Sequence, residues 1–144
     1  MIISPAQPAQ AALLEQIDKS QSFSAHWTLQ DWQGEFAQPT SYIQCAQEGG
    51  QMVGFIVLRG AAGQYELLNL AVCPQCTRQG IGYRLLVQAL DHLAAQGAQE
   101  VTLEVNANNV AAIELYKKAG FVKRSVRARF YSDGADALLL GKTL

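Results

Sequence analysis

Apolar and polar positions change period several times along the chain, and each change marks an element. Ile2-Ile3-Ser4 predicts a short first strand. Pro8 suits a first helical position, where its missing N–H costs nothing, and Ala12, Leu13, Leu14 and Ile17 give the helix an apolar side. Thr28, three residues before Asp31, predicts a capping-box start for a second helix carrying Trp32 and Phe36. Tyr42 to Gln47 and Met52 to Arg59 alternate as strands around the turn Glu48-Gly49-Gly50-Gln51. Gly60-Ala61-Ala62-Gly63 is the next turn, and Tyr65 to Val72 the next strand. Its apolar end, Leu67 to Val72, predicts burial on both faces, and Pro74 ends it because proline has no N–H for the ladder.

The second half begins with the strongest helical period. From Gly80 to Gln96, Ile81, Leu85, Leu86, Ala89, Leu90 and Leu93 share one face, and Gly97 closes the helix. Val101 to Val105 reads as a strand with Val101, Leu103 and Val105 on one side. Asn108 or Asn109 caps a last helix running to about Ala119, with Gly120 as its stop. Phe121 to Tyr131 and Ala137 to Lys142 read as two strands joined by a hairpin turn at Asp133-Gly134. The single long helix between Val72 and Val101 implies a right-handed parallel crossover, while the other strands look hairpin-connected. The expected fold is α/β (α+β): a mixed, mostly antiparallel sheet of about seven strands with helices on both faces, in one domain spanning 1–144.

Composition narrows the function classes. The 144 residues suit one compact domain, and 49% hydrophobic against 16% charged residues argues against disorder. A net charge of -1 disfavours broad binding to nucleic acid or anionic membrane. No apolar run reaches the roughly 18 residues that a span needs, and Met1 to Gln10 lacks a secretory pattern, so the cytoplasm is expected. Cys45, Cys73 and Cys76 make an odd count that does not suggest a disulfide framework. Cys73-Pro74-Gln75-Cys76 stands without a second such pair, and His26 and His92 are distant in sequence, so no metal is expected.

Arg78-Gln79-Gly80-Ile81-Gly82-Tyr83 lies between a buried strand and a long helix. Unpaired N–H groups at a helix start attract phosphate, and glycines let the backbone approach it. By itself the pattern is weak, matching neither the phosphate loop of nucleotide hydrolases nor the dinucleotide fingerprint, and a tight turn would explain it. Its context adds specificity. Asn69-Leu70-Ala71-Val72, Pro74 and Arg78-Gln79-Gly80-Ile81-Gly82, followed by Leu103 to Asn109 and Ala111 to Phe121, resemble the acetyl-CoA signature of the GNAT N-acetyltransferases. Within that superfamily the chain is most similar to the RimI family, the ribosomal-protein-alanine N-acetyltransferases, through His26-Trp27-Thr28 with Trp32, and through Arg129-Phe130-Tyr131, Asp133-Gly134 and Asp136-Ala137.

The resemblance implies that the backbone of Leu70, Ala71 and Val72 pairs with the pantetheine arm of acetyl-CoA. It implies that the amides of Arg78, Gln79, Gly80, Ile81, Gly82 and Tyr83 hold the pyrophosphate, and that Asn109 contacts the cofactor arm. Thr77 stands where the family motif usually begins with Gln or Arg. The implied acceptor is the N-terminal α-amine of a protein, an Ala-starting small-subunit ribosomal protein, attacked directly in a ternary complex. Lysine, a small-molecule amine, or a CoA-binding module without catalysis are the alternatives, and the short hairpin after Tyr131 keeps the acceptor open.

Acetyl transfer to an amine poses two proton problems. An α-amine of pKa about 8 is mostly ammonium at neutral pH, and a thiolate departs more readily if protonated. The resemblance assigns Glu104 as base and Tyr116 as acid. Glu104 alternates with Leu103 and Val105 and so faces away from them, where it is a solvent-facing residue or looks into a cleft. A free glutamate of pKa about 4.3 is a poor base, so partial burial or a water relay is required. Tyr116, on the last helix with Val110 and Ile113, is otherwise a core-edge aromatic. Lys123, Arg124, Arg127 and Arg129 form a basic stretch read as a solvated strand face, His92 reads as a surface residue, and Trp27 and Trp32 are expected to pack on the sheet.

Overall fold

A computed structural model describes Met1–Thr77 and Gln79–Leu144; Arg78 lies outside the described residues. Among the described residues, seven strands form one sheet in the order β1-β2-β3-β4-β5-β7-β6. They are β1 (Ile2–Pro5), β2 (Ser41–Glu48), β3 (Gln51–Ala61), β4 (Gln64–Val72), β5 (Glu100–Asn106), β6 (Val122–Arg127) and β7 (Ala137–Thr143). Every neighbouring pair is antiparallel except β4 with β5.

The α-helices among the described residues cover the sheet: α1 (Ala11–Lys19), α2 (Leu29–Phe36), α3 (Ile81–Ala95) and α4 (Val110–Lys118). Alternation along the strands splits the core in two. Ile56, Leu58, Val101, Leu103 and Val105 pack with Leu85, Leu86 and Tyr116 from α3 and α4. Ile43, Cys45, Phe55 and Val57 pack with Leu14 and Ile17 of α1 and Trp32 of α2. Trp32 is fully buried edge-on to Phe55 at 4.9 Å, and half-buried Trp27 meets Trp32 at 4.8 Å, so both tryptophans pack as expected. His92 is exposed and stacks on Tyr42.

The sequence signals at helix ends have physical counterparts. Thr28 accepts from the Asp31 N–H at 3.1 Å while Asp31 accepts from the Thr28 N–H, so two otherwise orphaned donors are satisfied. Pro8 opens a 3-10 turn over Pro8–Gln10, and the α-helix follows from Ala11.

Three expectations need correction. β3 runs through Gly60 and Ala61, because these residues still pair with Tyr65 and Gln64, leaving only Ala62 and Gly63 in the turn. β6 stops at Arg127 rather than Tyr131: Arg129 takes a positive φ of 54° and its N–H is bound by Asp136 Oδ1, which turns the chain out of the sheet. The segment 128–136 is therefore a loop, with its turn at Tyr131–Gly134. In β4 the end expected to be buried on both faces has Leu67 and Ala71 buried but Leu70 and Val72 only half-buried, since β5 has moved away there.

Candidate active site

The parallel contact is short. β4 and β5 pair only at Gln64–Glu66 with Glu100–Thr102. Beyond it each strand keeps its outer partner: Leu70, Ala71 and Val72 face Ile56, Phe55 and Gly54 of β3, and Leu103 to Asn106 face Leu140 to Ala137 of β7. A bulge helps to open the gap, since Val57 pairs with Asn69 and Leu58 with Leu67, leaving Leu68 unmatched. The inner edges of β4 and β5 thus form a wedge whose backbone groups lack a strand partner.

The start of α3 stands at one end of the wedge. Gly80 precedes it with φ 78°, a left-handed conformation that glycine adopts without a Cβ penalty. The Arg84 N–H is the first to return to the Gly80 carbonyl, so the amides of Ile81, Gly82 and Tyr83 have no helical acceptor. Among the described residues nothing lies within 4 Å of the position a Gly80 Cβ would take, which leaves room for a bulky anion. At Gly82 a Cβ would meet Leu115 at 3.6 Å and Val72 at 3.7 Å, so the first turn of α3 adjoins both α4 and the end of β4. Lys118 places its ammonium 4.2 Å from the Tyr83 ring centroid, bringing a positive charge to the same turn. Gln79 is exposed beside Gly80. Asn109 caps α4, its Oδ1 accepting from the Ala112 N–H at 3.4 Å. A pyrophosphate and an extended arm fit these groups: open amides, glycine clearance and an unpaired strand edge.

Glu104 projects from the β5 edge of the wedge. Its neighbours Leu103 and Val105 are buried in the α3–α4 core, so its carboxylate lies on the opposite face, with α1 and α2. Oε1 sits 3.5 Å from Arg127 Nη2, and Oε2 is buried without a hydrogen-bond partner among the described residues. A buried carboxylate oxygen left unpaired is costly and marks a place where a donor belongs. Tyr116 belongs to the α3–α4 core at 6% exposure, edge-on to Phe121 at 5.8 Å. Burial pushes its phenol well above the ordinary tyrosine range, and Tyr131 adds to the shift.

Tyr131 lies within electrostatic reach of both. It is half-buried, and its phenol is raised first by burial and then by the negative charges of Glu104 and Asp133. Asn106, at the end of β5, donates to Asp133 Oδ2 at 3.2 Å, and the Ala107 N–H binds the Asp136 carbonyl. These bonds hold the loop 128–136 beside the end of β5. The Ala135 N–H, followed by Asn106, lowers the pKa of Asp133 and keeps it charged.

Glu104 and the α3 start therefore border one wedge, Tyr116 lies in the α3–α4 core, and Arg78 falls outside the described residues. The role of Tyr131, the Arg127 ion pair and the Asn106 brace were absent from the sequence reading. The Arg129-Phe130-Tyr131 and Asp133-Gly134 segments were its nearest signal. The basic stretch from Lys123 to Arg129 is exposed, but two of its members are paired, Arg124 with Glu100 and Arg127 with Glu104. No helix is long and apolar enough to cross a membrane, and no group of three or more His, Cys, Asp or Glu side chains is placed to hold a metal among the described residues.

Comparison with known proteins places this arrangement. The family model described as acetyltransferase (GNAT) family matches residues 9–121. A relative in Escherichia coli (strain K12), the ribosomal protein bS18-alanine N-acetyltransferase, is 36% identical over 96 residues, which cover 65% of this chain and 65% of that protein. The matched segment is thus just under two thirds of the relative's length. The crystal structure of the ribosomal-protein-S18-alanine N-acetyltransferase from Escherichia coli superposes with a TM-score of 0.90 at 26% identity, covering 99% of this chain and 92% of that one. A Bacillus anthracis protein of the acetyltransferase class, solved in complex with acetyl coenzyme A, superposes with a TM-score of 0.67 at 27% identity, covering 74% of this chain and 64% of that one.

Proposed function

This chain belongs to the acetyltransferase (GNAT) family, and on that premise we propose that it moves the acetyl group of acetyl-CoA to the N-terminal α-amine of a protein. The similarity to bS18-alanine N-acetyltransferases favours an Ala-starting small-subunit ribosomal protein as acceptor. The observation that carries the reading is the wedge: two strands parted after three pairs, with an unsatisfied Glu104 oxygen at one edge and a set of open amides at the start of α3. The same reading has the chain act as one domain in the cytoplasm, without a resident metal.

Acetyl-CoA supplies an acetyl thioester, a carbonyl that an amine attacks as the carbon–sulfur bond breaks. The open amides of Ile81 to Tyr83 bind its pyrophosphate, with those of Arg78, Gln79 and Gly80 assigned to the same task, and the free edge of Leu70 to Val72 aligns its arm as a strand would. Asn109 borders that arm. Attack is direct, with both substrates bound. Glu104 takes the proton from the incoming amine through Oε2, and Arg127 holds the carboxylate at Oε1. Tyr116, kept neutral by burial, gives a proton to the departing sulfur. Because Glu104 and Tyr116 stand on opposite faces of the sheet, the amine enters from the α1–α2 side and the sulfur leaves on the other.

Mass spectrometry of three acceptors tests this function: an Ala-starting peptide, the same peptide blocked at its N-terminus but carrying lysine, and a polyamine. One acetyl on the free Ala terminus alone is the expected result. Transfer to lysine or polyamine instead overturns the acceptor, and CoA binding without any transfer overturns the enzymatic reading.

A further inference from the structure

We infer that Asp18 is a positioning residue for the acceptor amine, fixing the segment Ser24–Trp27 over the Glu104 face of the wedge; this role rests on the transferase reading above. Asp18 ends α1 fully buried, and among the described residues no cation pairs with it. Its carboxylate is instead saturated by N–H donors. Oδ1 accepts from His26 N–H at 2.9 Å, and Oδ2 from Trp27 N–H at 2.8 Å and Asn69 Nδ2 at 3.0 Å. Asn69 Oδ1 accepts from Ala25 N–H at 3.2 Å, and Ser24 Oγ donates to the Asp18 carbonyl at 2.5 Å. Four consecutive residues are thus tied to one buried pair.

Two features point beyond structural support. Within the segment only Trp27 packs, edge-on to Trp32; Ala25 and His26 are exposed, and His26 holds a positive φ of 56° so that its amide and the next converge on Asp18. From Ser24 to His26, hydrogen bonds to a buried carboxylate and its Asn69 partner set the backbone's shape, and Trp27 anchors the end of the segment by packing. The far end of the network is Asn69, the residue after the β4 bulge and immediately before the free edge at Leu70. Its side chain reaches Asp18 on the α1–α2 face, the face on which Glu104 projects. The Asp18–Asn69 pair therefore joins the wall beside the amine's entrance to the strand that aligns the thioester.

Steady-state kinetics of the full chain test the role. Asp18→Asn keeps the side-chain size but sets an amide NH2 against the donors on Trp27 and Asn69. The acceptor KM should rise on the order of tenfold or more, since two buried hydrogen bonds are lost and donor is set against donor, with the acetyl-CoA KM within about twofold of wild type. Adding Asn69→Asp returns acceptor oxygens to Ala25 and to the amide introduced at position 18, and should recover part of the loss. Should Asp18→Asn fail to fold, Asn69→Ala, which releases only Ala25 and one Asp18 contact, should give a smaller rise in the same KM. An unchanged acceptor KM, or a parallel rise in both KM values without rescue, overturns the role of Asp18. If wild type uses lysine or a polyamine, the KM split is measured with that amine, and only the α-amine reading falls. If no amine is acetylated, the transferase reading falls and the role of Asp18 with it.

Discussion

The two walls of the wedge are made of different material. Along β4 and into α3 the groups that face it are backbone: the free edge of Leu70 to Val72 and the amides of Ile81, Gly82 and Tyr83. Along β5 and the loop 128–136 they are side chains, Glu104 and Tyr131, with Tyr116 of α4 buried in the adjoining core. Backbone groups tolerate many side chains, which explains why Thr77, departing from the family pattern, is free to bond the Pro74 carbonyl instead. Side-chain groups tolerate few changes, because each acts through one atom in one place.

That contrast predicts which substitutions should stop chemistry and which should weaken binding. Glu104→Gln should have the largest effect, a drop in kcat of roughly 10²- to 10³-fold with CoA affinity unchanged by calorimetry, the scale of a lost general base. Tyr116→Phe should lower kcat by about 10²-fold, again with CoA binding intact. The buried phenol also gives this position a pH signature. An unfolded tyrosine ionises near 10.0 while the folded Tyr116 resists ionisation. Its contribution to stability is complete below pH 10.0 and is lost as the pH climbs toward the raised folded value. The alkaline shift of the urea midpoint should therefore be smaller in Tyr116→Phe than in wild type. Gly80→Ala acts on the other wall. A left-handed alanine costs about 1–2 kcal/mol, so the acetyl-CoA KM should rise by up to roughly five- to thirtyfold while kcat at saturation changes little. A fall in kcat with an unmoved KM at Gly80, or the reverse at Glu104, would erase the distinction between the walls.

The same contrast governs what was legible in the sequence. Local chemistry can be read: Thr28 with Asp31 caps α2, Asn109 caps α4, and Gly80 opens α3, each within a few residues of its partner. The parallel β4–β5 contact also followed from the one long helix between them. The parting of those strands did not, because it depends on an unmatched Leu68 that looks like any other apolar residue in a buried strand. The early end of β6 was hidden because Arg129 leaves the sheet only by binding Asp136, seven residues on. Asp18 reads as a polar residue on a helix, and nothing local announces that its partner is Asn69, 51 positions away. Motif spacing exposes the backbone wall, whereas the side-chain wall is assembled from distant segments and needs the fold.

Amide hydrogen exchange with and without CoA tests most directly whether the wedge is the cofactor site. The account predicts slower exchange at Leu70 to Val72 and at Ile81 to Tyr83 when CoA is bound, with β1 and β2 unchanged. Protection confined to other elements, or bound CoA that leaves both segments exchanging as before, would contradict it.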